Sequence, residues 1–181
     1  AAAAASAFMP EVGQSGKDVV WVPTALTLVN KMLDMAKLTP QDILYDLGSG
    51  DGRTVITAAK RGARAFGIEY NPDMVELSKH NAAKEGVAAK ATFDKADIFQ
   101  TDFSKATVLT LYLLPDLNLK LRPTILKMTP GTRGGANAVH MGDGEPDQGS
   151  GAGGAGNPCF PLPFQRGGCL HGRNGFHPCE R

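Results

Sequence analysis

A chain of 181 residues, 42% hydrophobic and 20% charged, with a formal net charge of +1, has the size and composition of one globular domain with its own core. It gathers no basic stripe of the kind phosphate binding requires, so no nucleic-acid partner is expected. No apolar run approaches the roughly 20 residues that span a bilayer, so no membrane span is expected either.

The chain divides into a flexible N-terminal segment 1–19, a domain 20–147 and a Gly-rich tail 148–181. Ala1 to Ala7, interrupted by Ser6, is a run of small residues. It fits the remnant of a signal-peptide cleavage region or of a tag, so a cytoplasmic localisation is favoured and an exported one stays open. Thr24 is placed to cap a helix running to about Ala36, with Leu26, Val29, Met32, Leu33 and Ala36 on one face. Ile43 to Leu47 is a short buried strand that ends in glycines. Residues 52–60 follow as a helix with Val55, Ile56 and Ala59 inward, and Ala65 to Glu69 is the next strand. Asn71 caps a third helix, with Pro72 at its first position, where a missing N–H costs nothing. Ala91-Thr92-Phe93 leads into a strand ending near Asp97. Thr107 to Leu114 is almost uninterruptedly apolar, as a central parallel strand covered on both faces should be. Pro123 sits inside the next helical pattern, which is therefore kinked or late to start.

The alternation of strand and helix predicts an α/β fold, a Rossmann-like, doubly wound, mainly parallel sheet with right-handed crossovers. Ligands on such sheets bind beyond the carboxyl ends of the strands. Asp46, Glu69 and Asp97 all fall at or near those ends. Gly48, Gly50 and Gly52 let the chain turn sharply after the first strand, with Ser49 between the first two. The dinucleotide fingerprint places its third glycine three positions after the second; here it comes after two, and an aspartate stands two residues before the first. That spacing suits a cofactor without a pyrophosphate, in which an amino-acid moiety lies beside the loop and Asp46 meets its ammonium. Glu69, 21 residues after Gly48, is placed to accept hydrogen bonds from ribose hydroxyls. Asp97 can accept from an adenine amino group, while Ile98 offers its N–H and an apolar surface.

Asp46 to Gly52, Glu69 and Asp97-Ile98 together resemble the successive cofactor motifs of the class I methyltransferases. More narrowly, Val22-Pro23-Thr24, Tyr45 to Arg53 and Leu111-Tyr112-Leu113-Leu114-Pro115 resemble the subfamily of mitochondrial protein-lysine methyltransferases, including the one acting on the ATP synthase c subunit, and its bacterial relatives. The likeness spans roughly residues 20–147. It implies S-adenosyl-L-methionine as cofactor and methyl transfer to an amine, foremost a protein lysine, with a small amine as the other acceptor class. The partner is then the acceptor alone, and a monomer is the default. Tyr112, at the end of the fourth strand, is the candidate catalytic residue, its ring lining the methyl-transfer channel or else packing beneath the next helix. Thr24 either closes over the methionine end or serves only as a helix cap.

Three features stand apart from the pattern. The expected fifth strand, Thr132 to His140, carries the paired Gly134 and Gly135, which should weaken it and leave a hole beside the fourth strand. The tail from Gln148 holds Gly-rich sequence with no apolar periodicity and is expected to be irregular, so the C-terminal strands are expected to be degenerate or incomplete. Cys169-Leu170-His171 and His177-Pro178-Cys179 supply zinc-type ligands, but at spacings unlike the usual framework, and no metal is expected. The competing functional readings are an NAD-dependent oxidoreductase and a non-catalytic adenosyl-binding protein.

Overall fold

The computed structural model describes residues 8–18 and 20–137, and beyond these only the backbone of 150–153, 157–163, 168–169 and 177–178, with side chains described up to residue 135. Five parallel strands form the body of the sheet: β1 (Ile43–Leu47), β2 (Arg64–Glu69), β3 (Ala91–Lys95), β4 (Val108–Leu111) and β5 (Arg133–Asn137). Two further strands, β6 (Ser150–Gly153) and β7 (Asn157–Pro163), complete the order β3-β2-β1-β4-β5-β7-β6, with β7 antiparallel to both neighbours. The order reverses between β1 and β4, which places a crevice above their carboxyl ends.

Helices α1 (Leu26–Met35), α2 (Arg53–Lys60) and α3 (Pro72–Lys84) cover one face; α4 (Pro115–Ile125) covers the other. The period-2 alternation of the strands distributes the core between these layers. Leu44 and Val108 join Val29, Leu33, Val55 and Val75 under the first layer. Leu47, Leu109 and Leu111 join Leu117, Leu121 and Ile125 under the second. All four residues of β4 are buried, as a central parallel strand requires. Tyr45 and Phe66, in register across β1 and β2, stack with ring centroids 4.9 Å apart.

Several sequence expectations change here. Helix α1 is capped at Ala25, without a side-chain cap bond, so Thr24 is not its cap. Its buried face is Leu28, Val29, Met32 and Leu33, while Leu26 is 57% exposed. The stripe of Leu28, Val29, Met32 and Leu33 leaves Leu26, the first helical residue, at its margin. β3 stops at Lys95, and β4 leaves the sheet after Leu111, so Asp97 and Tyr112 lie in the turns beyond the strands. Helix α4 starts at Pro115 and runs through Pro123. The helix ends two residues later, so the missing N–H forfeits a bond only in its last turn. At Asn71 the expectation holds: its Oδ1 accepts from the Asp73 N–H at 2.9 Å.

The fifth strand forms over Arg133–Asn137, and positions 138–140 of the expected strand lie outside the described residues. A Cβ on Gly135 would stand 3.4 Å from Met32 Cβ, at ordinary contact distance, so α1 covers the strand at this position. Strands at 150–153 and 157–163 pair within the stretch expected to be irregular. Backbone hydrogen bonding to β5, which needs no side-chain periodicity, extends the sheet there. The side chains of Cys169, His171, His177 and Cys179 lie outside the described residues. Among the described residues no group of three or more His, Cys, Asp or Glu is arranged to hold a metal ion, and no helix is long and apolar enough to cross a membrane.

Candidate active site

The carboxyl ends of β1, β2, β3 and β4 open onto a cavity of about 580 Å³, within the range of small-molecule and cofactor sites. Asp46, Gly48, Ser49, Gly50, Glu69, Asp97, Ile98, Tyr112 and Thr24 all line it. Of the residues expected at the site, Gly52 is absent from this lining. It sits one step behind the loop, in left-handed conformation at φ 82° as the N-cap of α2. There a Cβ would meet the Phe93 ring at 2.8 Å.

Asp46 is placed by strand register. It pairs with Thr110 across β1 and β4, so both side chains share a face, and the Thr110 hydroxyl donates to Asp46 Oδ1 at 2.6 Å. On the other side Asp46 is in register with Gly67, where a Cβ would come within 2.7 Å of Ser49 Oγ. Gly67, which no sequence motif marks, therefore makes the room that Ser49 occupies. Burial pushes the Asp46 carboxyl up to about 7; the Thr110 and Thr54 hydroxyls oppose that rise, and the nearby Glu69 and Asp51 charges add to it. Ser49 Oγ is buried and has no partner within the described protein, a donor held available at the loop.

The loop from Gly48 to Arg53 uses most of its amides on the protein itself. Gly48 N and Ser49 N donate to Ile68 O at 2.9 and 3.1 Å, and Gly52 N donates to Ser49 O at 2.9 Å. Gly50 N donates to Glu69 Oε2 at 2.9 Å, and Arg53 N donates to Asp51 Oδ1 at 3.3 Å. From α3, Ser78 Oγ and Asn81 Nδ2 donate to the carbonyls of Gly50 and Asp51 at 2.9 and 3.1 Å. A pyrophosphate-binding loop points its amides at the anion; this one turns them inward. Glu69 is gripped from both sides, because its Oε1 also accepts from Asn71 N at 3.0 Å. Its carboxylate is thus fixed before any ligand arrives, with lone pairs to spare.

Besides Gly67 and Thr110, further participants that the sequence reading did not place at the site are reached through contacts distant in the chain. The segment expected to be flexible near the N-terminus has residues 13–18, 20 and 21 tied into a short loop by Gly13 N to Trp21 O and Trp21 N to Gln14 O bonds of 2.8 and 2.9 Å. It lies across the cavity, contributing Gln14 to Asp18, Val20 and Trp21 to its lining. Trp21 packs on Gly50, where a Cβ would stand 2.7 Å from the indole Nε1. Arg53 clasps Asp51 through Nε and Nη2 and donates from Nη1 to the Thr24 carbonyl at 2.8 Å, fastening the segment before α1 to the glycine loop. Lys17 Nζ reaches Asp97 Oδ2 at 2.7 Å. The signals available in the sequence were the lone tryptophan just ahead of Val22-Pro23-Thr24 and Arg53 at the end of the Tyr45 to Arg53 run.

On the fourth-strand side, Tyr112 is half-buried and lines the cavity beside Leu113, Leu114 and Pro115. The turn is held from below by Asn118, fully buried in α4, whose Nδ2 donates to the carbonyls of Leu113 and Leu114 at 3.2 and 3.0 Å.

The family profile of the ANTKMT methyltransferase domain matches residues 46–148, which begins at Asp46 and takes in the glycine loop, Glu69, Asp97 and Tyr112. The chain belongs to this methyltransferase family. Among its relatives, a protein-lysine N-methyltransferase of Saccharolobus islandicus (strain REY15A) is 43% identical over 118 residues, which cover 64% of this chain and 73% of the relative. The lysine N-methyltransferase of the ATP synthase c subunit from Homo sapiens is 36% identical over 101 residues, and the match covers 56% of this chain and only 43% of that protein's length. A crystal structure of an RNA methyltransferase from Salinibacter ruber in complex with S-adenosyl-L-homocysteine superposes with a TM-score of 0.76 at 42% identity, covering 80% of this chain and 95% of that one. Membership in a methyltransferase family, together with a loop whose amides are mostly paired already, removes the oxidoreductase reading.

Proposed function

We propose that this chain is an S-adenosyl-L-methionine-dependent methyltransferase that transfers the methyl group to an amine, the ε-amino group of a protein lysine. The observation that carries the reading is the convergence of Asp46, Glu69 and Asp97 on one cavity, beside a loop that spends the amides of Gly48, Ser49, Gly50 and Gly52 on the protein itself. The residues fit the cofactor in chemistry. Asp46 serves the ammonium of the methionine end, with Thr24 near it; Glu69 accepts from the ribose hydroxyls; Asp97 and Ile98 receive the adenine. Gly48, Ser49, Gly50 and Gly52 shape the loop, with the unpartnered Ser49 hydroxyl as an added donor.

When bound, the cofactor supplies an electrophilic methyl on a sulfonium. The chain must then align an amine with that methyl and exclude water, which lowers the barrier by orientation. Tyr112 and the apolar Leu113 and Leu114 form the wall where the acceptor enters. The aromatic face attracts a cationic amine on arrival, and the apolar surroundings favour its neutral, nucleophilic form.

The Salinibacter ruber neighbour motivates a second reading, methylation of RNA. Its electrostatic requirement is poorly met. Among the described residues only two basic side chains, Lys17 and Arg53, line the cavity, alongside Asp18, Asp46, Asp51, Glu69 and Asp97, whereas phosphate binding calls for a basic patch. Incubating the protein with methyl-labelled cofactor and a cell lysate, then separating protein from RNA and mapping the label, decides between them. Label on a lysine side chain is expected; label confined to RNA would overturn the protein-lysine assignment, and binding without any transfer would favour a non-catalytic adenosyl-binding protein.

A further inference from the structure

The nucleoside end of the cavity contains a cation that comes from neither α3 nor the sheet. Lys17 Nζ makes a 2.7 Å ion pair with Asp97 Oδ2 and sits 4.7 Å above the centroid of the Tyr70 ring. The other carboxylate oxygen, Oδ1, accepts from Phe99 N at 2.9 Å. Tyr70 directly follows Glu69, is 49% exposed and lines the same cavity. A purine entering beside Glu69 has two protein features to use, an aromatic face for stacking and a carboxylate for its exocyclic amino group. One ammonium engages both.

We propose that Lys17 is an internal competitor for the base of the nucleoside cofactor, so that the 6-amino group must displace or share the ion pair at Asp97 before it is recognised. The proposal rests on the cofactor reading given above. Its physical basis is the strength order of the donors. An ammonium on a carboxylate makes a charge-assisted bond in which both partners are ionised, whereas an aminopurine offers a neutral donor. While Lys17 holds Asp97, the amino group gains little there, and discrimination between a purine with and without it is weak. The ion pair is also partly exposed, with 34% of the Lys17 side chain and 20% of the Asp97 side chain accessible. Such a pair is screened by salt, so it yields where a buried one would not.

The test uses the full chain and three proteins: the parent, Lys17→Met, which keeps an unbranched apolar stem, and Lys17→Arg, which keeps the cation. Each is titrated calorimetrically with S-adenosylhomocysteine and with its analogue lacking the 6-amino group. In the parent the two ligands should bind within about threefold of each other, and Lys17→Met should tighten S-adenosylhomocysteine about fivefold, the worth of an exposed ion pair, while raising the preference for the 6-amino ligand. Raising sodium chloride from about 50 to about 500 mM should tighten binding to the parent and leave Lys17→Met flat. Lys17→Arg should behave as the parent. An unchanged affinity and preference in Lys17→Met would overturn the proposal, and so would weaker binding, which would make Lys17 a clamp on the ligand. If all three folded proteins fail to bind S-adenosylhomocysteine, the cofactor reading falls and this inference with it.

Discussion

Asp46 is the residue on which position and chemistry meet most closely. It lies fully inside the cavity wall, opposed by like charges, with its carboxyl pushed up to about 7 by burial. Its ordinary value is 3.8, so the folded state binds a proton that the unfolded chain releases. The stability this proton confers is complete below about pH 4 and is lost as pH rises through about 7. Binding an ammonium reverses the preference, because only the ionised carboxylate attracts it. The affinity for S-adenosylhomocysteine is therefore expected to climb between about pH 6 and 8, by at most about tenfold per unit. Asp46→Asn should remove that slope, as calorimetric titration at several pH values would register; an equal slope in the variant would assign the proton elsewhere.

At the scale of elements, the glycine loop is held by packing as much as by turn geometry. Gly52 has φ 82° and a Cβ there would meet Phe93 at 2.8 Å and Ser78 Cβ at 2.9 Å, whereas Gly86, at φ 70°, has open space around it. Gly86→Ala should cost about 1–2 kcal/mol, the strain of a left-handed residue, and Gly52→Ala about 1–3 kcal/mol more from overpacking. Urea unfolding of the two variants measures the difference directly, and equal losses would show that the Phe93 contact relaxes freely. These same elements show where sequence reasoning succeeds. The strand Ile43–Leu47 and the Asn71-Pro72 helix start were legible, because their signals lie within a few neighbouring residues. The turn positions of Asp97 and Tyr112 were nearly so. Of the two readings of Thr24 the cap fails, because that residue type is common near helix starts and the bond that decides it depends on where the backbone first turns; its place in the cavity lining is the other. Gly135 was misread because a missing side chain signals weakness only when nothing else fills the space, and Met32, which lies over it, comes from α1, far earlier in the chain. Lys17 pairs with Asp97 across 80 positions, a relation that no local pattern encodes.

Across the whole molecule the two ends of the sheet have different tasks. The carboxyl ends hold the cavity; the opposite edge is tied by a polar knot around Asp42, which is only 5% exposed. It accepts from Thr39 N and Thr39 Oγ1 at 2.7 and 2.9 Å and from Thr107 Oγ1 at 2.7 Å, and it pairs with Arg133. Arg133 also donates to the carbonyls of Ala36 and Lys37, at the end of α1, at 2.8 and 2.7 Å. One carboxylate thus joins the starts of β1 and β5, the approach to β4 and the exit of α1. Burial alone would raise the Asp42 carboxyl, but the hydrogen bonds from Thr107 and Thr39 and the Arg133 charge hold it below its ordinary 3.8. A depressed carboxylate stabilises the fold above that value, and the contribution is lost as pH falls through 3.8 and below. Acid unfolding should therefore begin below about pH 4 in the parent. Asp42→Asn should be less stable at neutral pH and flatter in its acid dependence; a variant with the parent's acid profile would remove Asp42 from that role.

The strap formed by residues 13–18, 20 and 21 has a consequence for how the protein breathes. It is anchored by two backbone bonds of its own, a partly exposed ion pair and one indole against Gly50, while β1 and β4 sit among fully buried side chains. None of its described residues belongs to the buried core clusters, so opening the strap is a local excursion that leaves the sheet intact. In native-state hydrogen exchange the amides of Gly13 and Trp21 should surrender their protons well before those of Leu44 and Leu109, and saturating S-adenosylhomocysteine should slow the former without touching the latter. The wall that the N-terminal segment lends to the cavity would then be its door as well, and the frequency with which that door swings would set the pace of ligand exchange.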